Sequence, residues 1–326
     1  MSDMKKLQNK FSPLKKVQHF TMIMVCFAMI GCSLKEEIPV PDFPPSLVVN
    51  CFFTTDSTLS IDLSRNDYFV GLQENLKAIS DAKVVLYDDD DEVAIMEEDT
   101  TAGLYHSNFK PLSGHKYSLK VEKEGFETVY ASSVIPENNF SFSMGEPEPF
   151  QGEYQKEYKL TYELHDTGIE RVFYELQMYY YQDLYNRYRD WENDTTYWEY
   201  VGKRKYFVAF TEEGSELTGS HANQYFFTNE LFDEGLKKET IRFSSYSFSS
   251  GWSDSPSSDT ITVYMEVRRL TEELYNYKRS LKDQLDGNGQ LFAEPVQVFN
   301  NIENGYGIFA GYNKEVFTFE IIKEED

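Results

Sequence analysis

Ala82-Lys-Val-Val-Leu-Tyr87 and Glu92-Val-Ala-Ile-Met96, set either side of Asp88-Asp-Asp-Asp91, decide the fold class of this chain. Two short apolar runs flanking a polar turn read as a β-hairpin. The same signal recurs on both sides of it. Leu47–Phe53 is a continuous apolar run, and Thr58-Leu-Ser-Ile-Asp-Leu63 alternates with period two, which puts Leu59, Ile61 and Leu63 on one face. Gly103-Leu-Tyr105 leads into another strand, Pro111-Leu-Ser-Gly114 is a turn, and Tyr117–Glu122 alternates again. Gly125-Phe126 turns the chain into Thr128–Ile135, which Pro136 ends. Short strands at close spacing with turn signals between them predict an Ig-like or transthyretin-like β-sandwich over 46–136.

Residues 137–153 hold Asn138-Asn139, Gly145, Pro147, Pro149 and Gly152, and read as a linker or crossover strand. Beyond them, 154–326 is predicted as a larger β-sandwich-type domain. Its strand candidates are Tyr158–Leu164, Val172–Tyr181, Tyr197–Phe210, Thr240–Phe248, Ile261–Arg268 and the closing Glu315–Ile322. One long helix stands out at 271–285, where Leu270, Leu274, Tyr277, Leu281 and Leu285 form a stripe. Thr271 is its expected N-cap and Gly287 its stop. The chain is therefore expected to be mainly β with one helix, an inference that its 24 tyrosines and 25 phenylalanines support.

The first 31 residues read as an export signal. Lys5, Lys6, Lys10, Lys15 and Lys16 precede an apolar core ending at Ile30 that is about ten residues long, against the ~20 needed to span a bilayer. Met29-Ile30-Gly31-Cys32 resembles the processing motif of bacterial lipoproteins, which makes Cys32 the acylated first residue and the lipid bilayer a partner. Two or three acyl chains anchor stably where one binds only marginally. Lys35-Glu36-Glu37 resembles the signal that sends Bacteroidetes lipoproteins to the outer face of the outer membrane. Ile38–Pro45 is proline-rich, so 32–45 is expected to be an extended tether.

The full chain carries a net charge of −24, and loss of 1–31 removes five lysines and one aspartate, leaving −28. Such a surface repels nucleic acid and anionic lipid, which both need basic patches. Cys51 alone remains after processing and acylation; among apolar neighbours it reads as an inert core residue. His106, His115, His165 and His221 show no metal-ligand spacing, and His165-Asp166 has no nucleophile placed beside it by any motif. Asp88–Asp91 lacks the spaced acids and glycine of a calcium loop, so it reads as a solvated turn. No catalytic residue, metal site or cofactor site is predicted.

Aromatics crowd the stretch from Tyr174 to Tyr206. Strand alternation places Tyr179 and Tyr181 on one face and Tyr180 on the other. Asp183–Thr196 is polar and is expected to form the tip of a long hairpin or a short helix. Tyr181, Tyr185, Tyr188, Trp191, Tyr197 and Trp198 are the candidate ligand-binding residues, since Tyr and Trp bring contact area at low entropy cost. Cross-strand packing inside the sheet is the competing reading of the same residues. Ser244–Ser258 reads as a flexible serine-rich loop.

Phe292-Ala-Glu-Pro-Val-Gln-Val-Phe-Asn-Asn-Ile-Glu-Asn-Gly-Tyr-Gly-Ile-Phe-Ala-Gly311 resembles the ending of a Bacteroidetes lipoprotein family catalogued as domain of unknown function 4249. Pro45–Asn50, Ile79–Val84 and Gly103–Tyr105 with Gly114–Leu119 fit the same family. Glu294, Pro295, Asn304, Gly305 and Gly307 are its signature positions, and Asn304-Gly305-Tyr306-Gly307 reads as a tight turn. The resemblance implies a surface lipoprotein encoded alongside TonB-dependent outer-membrane transporters, hence a transporter as partner and no assigned chemistry. The expected function is a non-enzymatic accessory lipoprotein that binds a ligand or caps such a transporter. A structural or adhesive surface module, and a glycan or peptide hydrolase needing only two carboxylates, are the alternatives.

Overall fold

The computed structural model describes residues 44–66, 77–152, 156–213, 223–244, 260–287 and 296–322. Leu47, Val49, Cys51 and Phe53 are buried and alternate with more exposed neighbours, which makes strand β1 (Leu47–Phe53). The same pattern produces β2 (Ser60–Arg65), β3 (Lys77–Ala78), β4 (Lys83–Asp88), β5 (Asp91–Glu98), β6 (Leu104–His106), β7 (Lys116–Glu122) and β8 (Val129–Val134). The second half supplies β9 (Ser141–Met144), β10 (Glu148–Gln151), β11 (Lys156–His165), β12 (Phe173–Asp190), β13 (Thr195–Val208), β14 (Phe210–Glu212), β15 (Gln224–Thr228), β16 (Leu236–Ser244), β17 (Thr260–Leu270) and β18 (Tyr306–Ile322). Helix α1 (Glu272–Gly287) follows β17, and the Thr271 hydroxyl accepts the Leu274 N–H at 3.3 Å as its N-cap. The chain is mainly β, as its alternating and aromatic sequence implies. Among the described residues no helix is long and apolar enough to cross a membrane.

One sheet runs β13-β12-β17-β18-β1-β2-β6-β5-β4-β7-β8, with β15 beside β12 and β3 beside β2. A second runs β10-β11-β16-β14, with β9 on β11. The first sheet folds over on itself through β5, and Leu63, Leu86, Tyr105, Tyr117 and Leu119 fill the space it encloses. The second sheet packs on β12, β17 and β18 through Leu160, Tyr162, Ile241, Met178, Met265 and Phe319. A third, smaller cluster joins Phe173, Leu270, Leu274, Tyr275, Ile308 and Ala310 beneath α1, and the first core takes in Ile302 and Phe309 from the chain's end.

The halves are nevertheless joined more closely than two domains on a linker, and Pro44–Asp326 forms one compact unit. β18 pairs in parallel with β1, from Val48 with Tyr306 to Phe53 with Gly311, and antiparallel with β17 along its remaining length. Phe309 points into the first core, and Phe319 and Ile321 into the second. Ile308 and Ala310 point the other way, against Leu274 and Tyr275 of α1. Within 137–153, read as a linker or crossover strand, β9 and β10 both pair with β11. The reason is local: Phe140 and Phe142 alternate with polar residues and bury against the second core.

Candidate functional site

β12 is buried over its first eight residues, Phe173–Tyr180. Even-numbered side chains there face the second core, whereas Phe173 packs beneath α1. From Tyr181 onward β12 has β13 as its partner, while its pairing with β17 ends at Tyr180. At ~3.4 Å per residue, Tyr181–Asp190 runs about 30 Å beyond the last row that β12 shares with β17. The polar tip expected over Asp183–Thr196 is therefore almost entirely strand, closed by a turn at 191–194. Asp190 builds that turn by accepting the N–H groups of Glu192 at 2.9 Å and Asn193 at 3.3 Å. The side-chain amide of Asn193 also reaches Asp190 and, with those bonds, holds its carboxyl below the usual range. Trp191 stands at the tip 79% exposed, with the Arg189 guanidinium 4.5 Å over its ring.

The register explains which aromatics meet. Leu184 pairs with Gly202 and Tyr185 with Tyr200, so Val201 is an extra residue on β13. This bulge reverses the alternation of β13. It brings Trp198 and Tyr200 to the face that carries Tyr181, Tyr185, Lys203, Lys205 and Phe207. That is the face on which α1 packs farther down the sheet. Tyr185 and Tyr200 meet edge to face at 5.8 Å, and Arg187 lies 5.7 Å over Trp198. Tyr188 and Tyr197 stack at 5.3 Å on the opposite face. Each such pair adds ~0.5–1.5 kcal/mol to a ribbon that would be marginal alone. The aromatics divide by burial: Tyr179 and Tyr180 are buried in the sheet, whereas Tyr181, Tyr188, Trp191 and Tyr197 are exposed. Tyr200, Arg187 and Lys205 belong with them on geometry. The period-two alternation of β12 could have flagged Arg187; the bulge hides the other two.

Nearer α1, the same face carries buried charge. Glu175 accepts Lys278 Nζ at 2.9 and 2.7 Å and Arg268 Nη1 at 3.1 Å; Arg268 Nε donates to Glu266 at 2.5 Å. Burial pushes the Lys278 ammonium below its ordinary value, against the pull of Glu175. Burial also opposes charge on Glu266, but Arg268 outweighs it and holds that carboxyl below the ordinary glutamate range. These groups clamp α1 to β12 and β17. Because the folded value of Glu266 lies below ~4.3, its contribution is present above that pH and is lost as pH falls through the folded value. Melting curves between about pH 5 and 3 should therefore fall less steeply for Glu266→Gln than for the parent.

Among the described signature positions, Asn304, Gly305 and Gly307 lie where β18 meets its neighbours, with Asn301 beside them. Asn301 acts as a strand of one residue: its Oδ1 accepts the Phe309 N–H at 3.0 Å and its Nδ2 donates to the Phe309 carbonyl at 2.8 Å. Asn304 adopts φ +60 and donates to the Thr128 carbonyl at 3.2 Å. A Cβ on Gly305 would fall 2.7 Å from the Leu47 carbonyl oxygen, and one on Gly307 only 2.0 Å from that of Val49. These glycines let β18 lie against β1. Glu294 and Pro295 are outside the described residues, as are Cys32, Lys35, Glu36, Glu37, His221 and most of the serine-rich stretch.

A second buried cluster lies on the smaller sheet: Lys237 donates to Glu212 at 3.2 Å and to Glu239 at 3.0 Å, and Glu212 accepts the Tyr162 hydroxyl at 3.2 Å. The acids and histidines singled out from the sequence stand apart from it. Asp88 pairs with His115 at 3.0 Å across the turn, and Asp89 takes φ +52 there. Asp166 turns inward to accept the Tyr174 hydroxyl at 2.5 Å, while His165 stays outside, 3.8 Å from Glu163. Cys51 is buried, and burial pushes its thiol up. Among the described residues no group of three metal-ligating side chains forms. A groove of about 630 Å³ borders α1 beside Phe299, and its Ser280 hydroxyl is already bonded to the Asn276 and Tyr277 carbonyls.

A comparison with curated proteins gives no match. The family described as Domain of unknown function (DUF4249) matches residues 35–318. That span takes in β1–β17 and most of β18, including the asparagines and glycines that sit where β18 lies against β1, so the chain belongs to this family.

Proposed function

We propose that this protein is a non-enzymatic lipoprotein, anchored through acylated Cys32 to the outer membrane and facing outward, whose projecting hairpin binds a ligand for, or caps, a TonB-dependent transporter. The observation that carries this reading is the ribbon itself. Tyr, Trp and Arg, the residues that dominate binding hot spots, are exposed together on an arm that adds nothing to either core. The lipoprotein signal before Cys32, Lys35-Glu36-Glu37 and the proline-rich tether support the address.

A photo-crosslinking side chain at Trp191 tests the partnership in intact cells. A β-barrel receptor should be recovered, and recovery should drop at least tenfold when Tyr181–Lys203 is replaced by a short turn. Labelling with a palmitate analogue should vanish in Cys32→Ala. Crosslinking that yields no barrel would remove the transporter role, and a phenotype confined to attachment would favour an adhesive module instead.

A further inference from the structure

In a chain of net charge −24, one face of the hairpin has the opposite character. The face that the Val201 bulge assembles carries Arg187, Arg189, Lys203 and Lys205 against the single acid Asp183. Arg189 and Lys203 are spoken for, by Asp194 at 2.7 Å and Asp183 at 3.6 Å. Arg187 and Lys205 are not. Each lies on a ring, Trp198 at 5.7 Å and Tyr179 at 3.5 Å, and among the described residues neither has a carboxylate within ion-pair distance. Burial pushes the Lys205 ammonium below its ordinary value, and Arg268 and Lys314 nearby add to that, while Glu266 opposes it. A ligand anion would relieve this surplus.

The spacing says more about the ligand. On this face the Tyr185–Tyr200 pair and the Trp198 row are two residues apart, or ~7 Å along the ribbon. Tyr200 is exposed and Tyr185 and Trp198 are half-buried, so the two rows offer apolar ring surface at that interval, with a guanidinium or ammonium beside it. A carboxylated sugar matches both parts: the C–H face of its ring stacks on an aromatic side chain and its carboxylate meets the cation. An extended acidic peptide fits less well. It would add to the free edge of β13, but the bulge breaks the ladder at Val201, and Lys203 and Lys205 follow within four residues.

We infer that this face binds a polysaccharide bearing carboxylated sugars, with Tyr185 and Tyr200 as stacking platform and Arg187 and Lys205 as carboxylate contacts. The inference names the ligand class of the hairpin and rests on its being the binding element.

Titration of the full chain with polygalacturonate, followed by tryptophan fluorescence, tests it against dextran as a neutral glycan and polyglutamate as a polyanion without sugar. Polygalacturonate alone should bind, more weakly as salt rises. Arg187→Gln and Tyr200→Ser should each weaken it about tenfold, and Asn186→Ser on the opposite face should leave it unchanged. All three sites are at the surface of the ribbon, so circular dichroism should be unaltered. Equal binding of polyglutamate or dextran, no binding of polygalacturonate, or equal losses on both faces would overturn the inference. A hairpin that crosslinks a barrel yet ignores polygalacturonate overturns the ligand class alone; failure in both overturns the binding role as well.

Discussion

Gly307→Ala is expected to abolish the cooperative melting transition of the protein. A Cβ there would sit 2.0 Å from the Val49 carbonyl oxygen and 2.9 Å from its carbonyl carbon, both backbone atoms of the neighbouring strand. No rotamer change relieves such a contact. The backbone is also at φ +111, a region that side-chain-bearing residues rarely enter. To accept the methyl group, β18 must separate from β1, and the pairing from Val48 to Phe53 is lost with it. That opens both cores, because Phe309 belongs to one and Phe319 to the other. A loss above about 4 kcal/mol is a large part of the 5–15 kcal/mol that holds a domain folded. Urea titration should show either no native baseline or a midpoint near zero. Tyr306→Ala, one residue earlier with an exposed side chain, should cost less than ~1 kcal/mol.

The next largest effect is expected at Glu175. Its replacement by alanine leaves Lys278 and Arg268 against a buried face with one carboxylate, Glu266, between them. Breaking a buried ion pair from one side costs about 3–5 kcal/mol, mostly the desolvation of the charge left behind. In a chain of this length that lowers Tm by on the order of 10 °C. The double variant Glu175→Leu with Lys278→Met should recover much of the loss, since it removes the orphaned charge and fills the space. If the double variant melts as low as Glu175→Ala, the cluster matters for its shape and not for its charge pairing.

Much of the fold is legible in the sequence where burial has a local period. Ser60–Arg65 alternates because one side of the strand faces a core and the other does not, whereas Leu47–Phe53, apolar nearly throughout, alternates only in its burial. The helix is equally plain from its cap and the start of its stripe, although Gly287 lies within it, Leu285 is exposed and Tyr275, off the stripe, is buried. What escapes reading is set by distant partners. Ile308–Gly311 looks like the tail of a turn, because the glycines that open it are also turn formers; they are there so that a strand some 250 residues earlier in the chain can come close. Glu175 and Gln177 break the apolar run of β12, yet both are buried, since α1 and the cations it brings cover that face. On the hairpin, the six aromatics named from sequence are all present, but they divide between two faces and a tip. Alternation along β12 parts Tyr181 and Tyr185 from Tyr188, but one inserted residue, Val201, decides which of them Trp198 and Tyr197 join, and no pattern within β13 reveals it.

The parallel pairing of β1 with β18 has a mechanical consequence. β1 lies inside the sheet, hydrogen-bonded on both sides, and the hairpin strand β12 is reached from it through β18 and β17 alone. Traction applied to whatever the hairpin holds travels across these strands to β1 and leaves along the axis of β1 toward the residues before Leu47. The ladders on both flanks of β1 are then strained in shear, all rungs together, and are not opened one at a time. Rupture under such a pull follows the unfolding rate. Were the hairpin to carry a ligand and the residues before Leu47 an anchor, as proposed above, that load would fall on many rungs at once.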